Sequence, residues 1–153
     1  MIYLTAINDV SETSKFQKSI VKTEEANGRR LWGLTELTTS TFDRIKKGDY
    51  ILYYHKGEII GYSKILQTFI DEELARKLWG TYSHRLKGVL LWSKIIELEN
   101  FKKSSVNFSF IIKLGDYSEK FSVRRLISLN DTATKRIVEQ FGDESNFIKK
   151  HFK

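Results

Sequence analysis

Apolar and polar positions alternate along this chain with a period that switches repeatedly between strand-like and helix-like. Ile2 to Ile7 (IYLTAI) is apolar enough for a buried first strand, which ends at Asn8-Asp9. Ser11 is a candidate N-cap for a helix to about Lys22 that buries Phe16, Ile20 and Val21. The polar stretch Thr23 to Arg30, containing Asn27-Gly28, predicts a loop. Thr38 to Lys47 predicts a short helix with Phe42 and Ile45 turned inward, capped by Thr39 or Ser40 and ended at Gly48. Tyr50 to His55 alternates Ile51, Tyr53 and His55 against Leu52 and Tyr54. Lys56-Gly57 joins it to a long strand, Glu58 to Phe69, in which Gly61 predicts a bulge or a bend.

Asp71 then caps a helix through Trp79 (DEELARKLW), whose acidic first turn and basic third turn suit the helix dipole. Gly80 to Lys87 (GTYSHRLK) reads as a polar, basic loop and Val89 to Leu98 as an apolar strand. Val106 to Leu114 and Lys120 to Leu126 predict two further strands around Gly115-Asp116. Asn130 or Asp131 starts a helix to about Phe141, and a second helix from Asp143 runs to the basic ending KKHFK. Strand, helix, several strands with a helix inserted, then two helices is an α+β order. It predicts a small, strongly curved or closed sheet flanked by helices. The 153 residues suit one domain with its own core, standing alone or as a module of a longer protein.

Composition narrows the function classes. Apolar residues make up 41%, no apolar run approaches the length of a membrane span, and the start lacks the layout of a signal peptide. The absence of cysteine excludes a disulfide scaffold and thiolate metal sites and suits a cytoplasmic protein. A net charge of +7 with 13% aromatic residues favours a phosphate backbone with bases stacked on rings. Surplus lysines that merely solubilise the surface are the alternative. The three histidines, His55, His84 and His151, are scattered without ligand spacing, and neither a phosphate loop nor a nucleophile elbow is present. Glu97 and Glu99 read as a solvated strand edge rather than a catalytic pair, and Glu58 with Lys64 poorly imitates a nuclease centre. No enzyme, metal or cofactor is expected.

The tryptophans carry more. Trp92, inside VLLWSKII, reads as a core residue. Trp32 and Trp79 each follow a leucine, precede a glycine and stand where an element gives way to a loop. Each is either a buried plug or a stacking platform, and a pair of indoles across a narrow slot would sandwich one planar base. Arg29 and Arg30 lead into Trp32, and His84, Arg85 and Lys87 follow Trp79, where phosphate clamps would be needed.

Trp32-Gly33, a short helix, then KKGDYILYYHKGEIIGYSKI resembles the EVE domain of the PUA-like superfamily, as does the opening IYLTAIND. LWGTYSHRLKGVLLWSKIIELEN and ISLNDTATKRIVEQF resemble the related YTH domains. The resemblance implies a mixed, strongly curved β-barrel of about five to six strands with flanking helices, holding one extruded, often methylated base between aromatic walls. It implies Trp32 and Trp79 as cage walls, Leu86 as a third wall, and Gly33 as the backbone facing the base edge. Asn8 and Asp9 would be polar contacts to that edge. The loop from Thr23 to Leu31 departs from the YTH pattern. Domains of this type also resemble the recognition modules of McrB-like, modification-dependent restriction proteins, which implies a motor and nuclease partner. The expectation is a reader of DNA carrying a modified base such as N6-methyladenine, with phosphates held by Arg29, Arg30, Arg85 and Lys87. An RNA reader is the alternative, and an enzyme or a small-molecule pocket on the same barrel, or a pure interaction domain, are others.

Overall fold

The local pattern sets most elements in a computed structural model that describes residues 1–6, 27–35 and 39–153. In order these are β1 (Ile2–Ala6), β2 (Arg30–Leu34), α1 (Thr39–Phe42), β3 (Tyr50–His55), β4 (Glu58–Ile70), α2 (Glu72–Trp79), β5 (Tyr82–His84), β6 (Gly88–Leu90), β7 (Lys94–Leu98), β8 (Lys102–Asn107), α3 (Ser109–Gly115), β9 (Ile127–Ser128), α4 (Asp131–Phe141) and α5 (Glu144–His151). Asn8, Asp9 and the expected helix from Ser11 to Lys22 lie outside the described residues.

The hairpin of β3 and β4 is the centre of the sheet. Lys56 (φ 41°) and Gly57 (φ 88°) both take left-handed backbone, as a tight two-residue hairpin turn requires. Among the described residues seven strands form the main sheet, in the order β2-β7-β4-β3-β1-β9 with β8 also on β4. β1 runs parallel to β3, and the remaining pairs are antiparallel. The 13-residue β4 carries three partners: β3 and β8 flank its first half and β7 pairs its second. Its ladders slip at Tyr53/Tyr54, Ile59/Gly61 and Ile65/Gln67, and these irregularities bend the sheet. The Phe101 ring and the Lys102 carbonyl occupy the space a side chain at position 61 would need, which accounts for the expected glycine bulge.

The alternation along β3 divides the core as the sequence predicts. Ile51 and Tyr53 join Tyr3, Leu34, Phe42, Ile45, Ile65, Ile96, Leu98 and Leu126 in one cluster. Tyr50 and Leu52 face the other way, with Ile2, Leu4 and Ile59, against Ile111, Ile137, Phe147 and Phe152 of the C-terminal part. Among the described residues no sheet closes into a barrel. β2 and β9 stay unpaired with each other, β9 being only two residues long, and Phe42 and Leu126 pack into the same cluster with no ladder joining those edges.

Several expected boundaries shift. Val106 to Leu114 is not one strand: β8 ends at Asn107 and α3 follows, burying Ile111 and Leu114 one helical turn apart. Lys120 to Leu126 has no regular structure, although Val123 and Leu126 are buried. Val89 to Leu98 is split into β6 and β7 by an irregular Leu91–Ser93, and the loop expected over Gly80 to Lys87 contains β5. The helix expected over Thr38 to Lys47 shortens to α1, which takes in Thr39 and Ser40 rather than being capped by them. The other caps hold: Asp71, Asn130 and Asp143 accept from the backbone N–H groups of Leu74 (2.9 Å), Ala133 (2.9 Å) and Asn146 (2.7 Å). Among the described residues no helix is long and apolar enough to cross a membrane.

Candidate nucleic-acid interface

Trp32, expected at an element end, sits in the middle of β2, which among the described residues pairs with β7 alone. Alternation along RLWGL turns Leu31 toward Ile95, where Phe69, Leu74, Leu78 and Trp79 cover both, and packs Trp32 against the Tyr53 and Ile96 cluster. α2 is thereby fixed on its strand partners. Its Asp71 cap secures the first turn, Ala75 is fully buried, and Gly80 closes the last turn by donating to the Arg76 carbonyl at 2.9 Å. Trp79 is the last residue of that helix and is carried to the rim of β2.

Trp32, Gly33, Trp79 and Trp92 line one cavity of about 260 Å³. That lies near the lower end for small-molecule pockets, roughly 300 Å³, and suits one flat ring system better than a drug-sized ligand. Gly33 is the residue that makes it. A Cβ there would stand 2.6 Å from Trp92 Cβ and 2.8 Å from both Trp79 Cζ3 and the Trp92 carbonyl oxygen. The bare backbone lets two indoles converge on β2, a use of glycine at close approach.

Trp92 is a correction to the sequence reading. It is only partly buried, lines the cavity, and stands in the irregular stretch between β6 and β7. The ring of Tyr82 on β5 lies 4.8 Å from it at 34°, so the β5–β6 hairpin props the third indole. The unbroken apolar run VLLW hid the break, and the only available signal was the change to Ser93-Lys94. Leu86, expected as the third wall, is instead at the tip of that hairpin, 83% exposed, and does not line the cavity. A turn tip points away from the body of the sheet because its backbone has no strand partner there.

The expected phosphate contacts divide. The Arg29 Nε and Nη2 donate to both Glu97 carboxylate oxygens at 2.9 Å, and the guanidinium lies 5.0 Å over the Phe69 ring. Arg29 and the amide of Gln67 hold the Glu97 carboxyl below its ordinary range, against the effect of burial. Arg29 therefore fastens the start of β2 to β7. Arg30 is partly buried, shares the face of Trp32, and its charge reaches the buried Tyr53 hydroxyl, whose pKa burial pushes up. His84 turns inward on its own hairpin: Nδ1 accepts from the backbone N–H groups of Leu86 (3.2 Å) and Lys87 (3.1 Å). Arg85 and Lys87 are exposed on the same tip. Gly33, Trp32 and Trp79 are thus brought together, Leu86, Arg85 and Lys87 sit on the neighbouring hairpin, and Asn8 and Asp9 fall outside the described residues. Among the described residues no three histidine, aspartate or glutamate side chains gather as a metal site would require.

No protein-family model and no curated protein sequence matches the chain. Solved structures do. The YTH domain of the Zygosaccharomyces rouxii MRB1 protein, in complex with N6-methyladenosine RNA, is 13% identical over 94% of this chain and 85% of its own, with a TM-score of 0.50. A Pseudomonas putida protein is 13% identical over 91% and 98% of the two chains, with a TM-score of 0.49. The ASCH protein of Zymomonas mobilis is 11% identical over 91% and 94%, with a TM-score of 0.44. The likeness to the YTH domain is one of fold alone.

Proposed function

We propose that this protein is a non-catalytic reader of nucleic acid that takes one flipped base into the cavity of Trp32, Trp79 and Trp92. The observation that carries the reading is that three indoles converge on one apolar, base-sized cavity over a glycine. The fold likeness to a YTH domain solved with N6-methyladenosine RNA supports it. Base extrusion costs a few kcal/mol, offset by stacking of roughly 1–3 kcal/mol per aromatic contact. A methyl group on the exocyclic nitrogen adds apolar area, at about 25 cal/mol per Å² buried. Discrimination of about tenfold to a hundredfold for N6-methyladenine follows from roughly 1.4–3 kcal/mol.

The proposed ligand is DNA carrying the modified base. The finer reading is an EVE-like recognition module in a restriction system, with a motor or nuclease partner. The YTH complex with RNA favours RNA as the second reading. Fluorescence anisotropy with matched DNA and RNA oligonucleotides, methylated and unmethylated, at one salt concentration tests both. Tighter binding of methylated DNA supports the first reading, and tighter binding of methylated RNA the second. Equal binding of methylated and unmethylated strands by wild-type protein refutes the cage altogether.

A further inference from the structure

A second cavity, about 310 Å³, lies between α1 and the segment leading into β9, lined by Ser40, Thr41, Arg44, Arg125 and Ser128 together with Leu126 and Ile127. Its chemistry is the opposite of the tryptophan cavity: two guanidinium groups and three hydroxyls against two aliphatic side chains. Arg29 and Arg136 are each paired with a carboxylate, whereas among the described residues Arg44 and Arg125 are in no ion pair. Arg44 uses its Nε on the Ser40 carbonyl at 3.1 Å, which holds the side chain across α1 and leaves its terminal nitrogens as donors. The charge of Arg44 reaches the Tyr3 hydroxyl, as does that of Asp49. The Asp49 carboxylate is already engaged by the Met1 ammonium at 2.6 Å and the Lys46 N–H at 2.8 Å, so it does not neutralise the arginine.

We infer that this cavity is a phosphate-binding subsite for the strand whose base enters the tryptophan cavity. The inference rests on the reader function proposed above and assigns a path to the strand. A fork of arginine donors with hydroxyls around it is the arrangement that takes a phosphodiester oxygen pair. The two cavities border one core cluster: Trp32 packs against it, and Phe42, Ile45 and Leu126 belong to it. The neighbours of those three residues, Thr41, Arg44, Arg125 and Ile127, line the basic cavity. The subsite lies between α1 and β9, the strand at one end of the sheet order, so an edge of the sheet forms one side of the groove. Phosphate contacts set affinity and register without reading the base.

The test is equilibrium binding of a methylated and an unmethylated oligonucleotide to wild type and to the Arg44→Gln/Arg125→Gln double variant across a salt series. The expected result is a loss of roughly tenfold or more in affinity for both oligonucleotides at low salt. The slope of log affinity against log salt should also fall by about 0.7 for each lost contact to a single strand. The ratio between the two oligonucleotides stays at its wild-type value. Arg125→Gln alone, at an exposed side chain, serves if the double variant fails to fold, and should give half the change in slope. Unchanged affinity and slope overturn the subsite and leave the base cavity standing. An unchanged slope with lost discrimination also overturns it, because the residues would then act on the base. If wild-type protein binds neither oligonucleotide, the reader function falls and the subsite with it.

Discussion

Gly33→Ala tests the site through a single methyl group. The added Cβ would lie 2.6 Å from Trp92 Cβ and 2.8 Å from Trp79 Cζ3 and the Trp92 carbonyl oxygen. Ordinary contacts between such atoms are about 3.5–4.0 Å, so Trp92 must retreat by about an ångström at its Cβ and its backbone together. Trp79 is the softer neighbour, because the atom in the way is at the far edge of its ring. Gly33 is not in a left-handed conformation, so the penalty is steric and owes nothing to backbone strain. Overpacking of this kind destabilises by about 1–3 kcal/mol, and at about 2–4 °C per kcal/mol for a chain of this size the melting temperature falls by about 2–12 °C. The base preference is lost at the same time, because two of the three walls have moved. Thermal unfolding followed by circular dichroism and anisotropy with methylated and unmethylated strands read the two effects. Adding Trp79→Phe to Gly33→Ala removes the Cζ3 clash and should restore part of the melting temperature without restoring discrimination. That is non-additivity of the kind contacting residues show. A Gly33→Ala protein that melts at the wild-type temperature and still prefers the methylated strand refutes the packing derived for these indoles.

The remaining tests are independent. Trp32→Ala and Trp79→Ala should each weaken binding of the methylated strand by about fivefold to 150-fold, from roughly 1–3 kcal/mol of stacking; anisotropy titration measures it, and wild-type discrimination in either variant removes that wall. Asp71→Ala deletes the cap on Leu74 N–H at the start of the helix that carries Trp79. It should cost about 1 kcal/mol, visible as a drop of about 2–4 °C in melting temperature. His151 lies among the rings of Phe110, Phe141 and Phe147, and burial followed by the charge of Lys150 lowers its pKa from the ordinary 6.5. The folded state then holds fewer protons than the unfolded chain, so this contribution is complete above about pH 6.5 and is lost as the pH falls from there through the depressed folded value. Denaturant melts at several pH values should show that decline, and His151→Phe should flatten it.

Local chemistry was legible where one residue or one short period decides it. Asp71, Asn130 and Asp143 cap the helices the sequence assigns to them, Lys56-Gly57 turns the hairpin, and β3 alternates between its two clusters as its residue order requires. The run VNFSFIIKL misled because a short apolar stretch fits a buried strand or a buried helix equally well. Burial of Phe108, Ile111 and Leu114 at three-residue spacing marks the helix only once the partners from α4 are in place.

The chain by itself determined the α+β order, the hairpin at its centre, the basic charge and the placing of Trp79 at a helix end, since these depend on turn chemistry, capping and composition, whereas Trp32, expected at an element end, stands in the middle of β2. The tertiary structure decided that Trp92 rather than Leu86 lines the tryptophan cavity, that Arg29 is tied to Glu97, and that Arg44 and Arg125 line one cavity beside the edge strand β9. Those facts join residues far apart in the chain: 59 positions separate Gly33 from Trp92 and 81 separate Arg44 from Arg125. Sequence period fixes which face a side chain takes. Which distant face it meets depends on how β4 bends and where the two edges of the sheet stop.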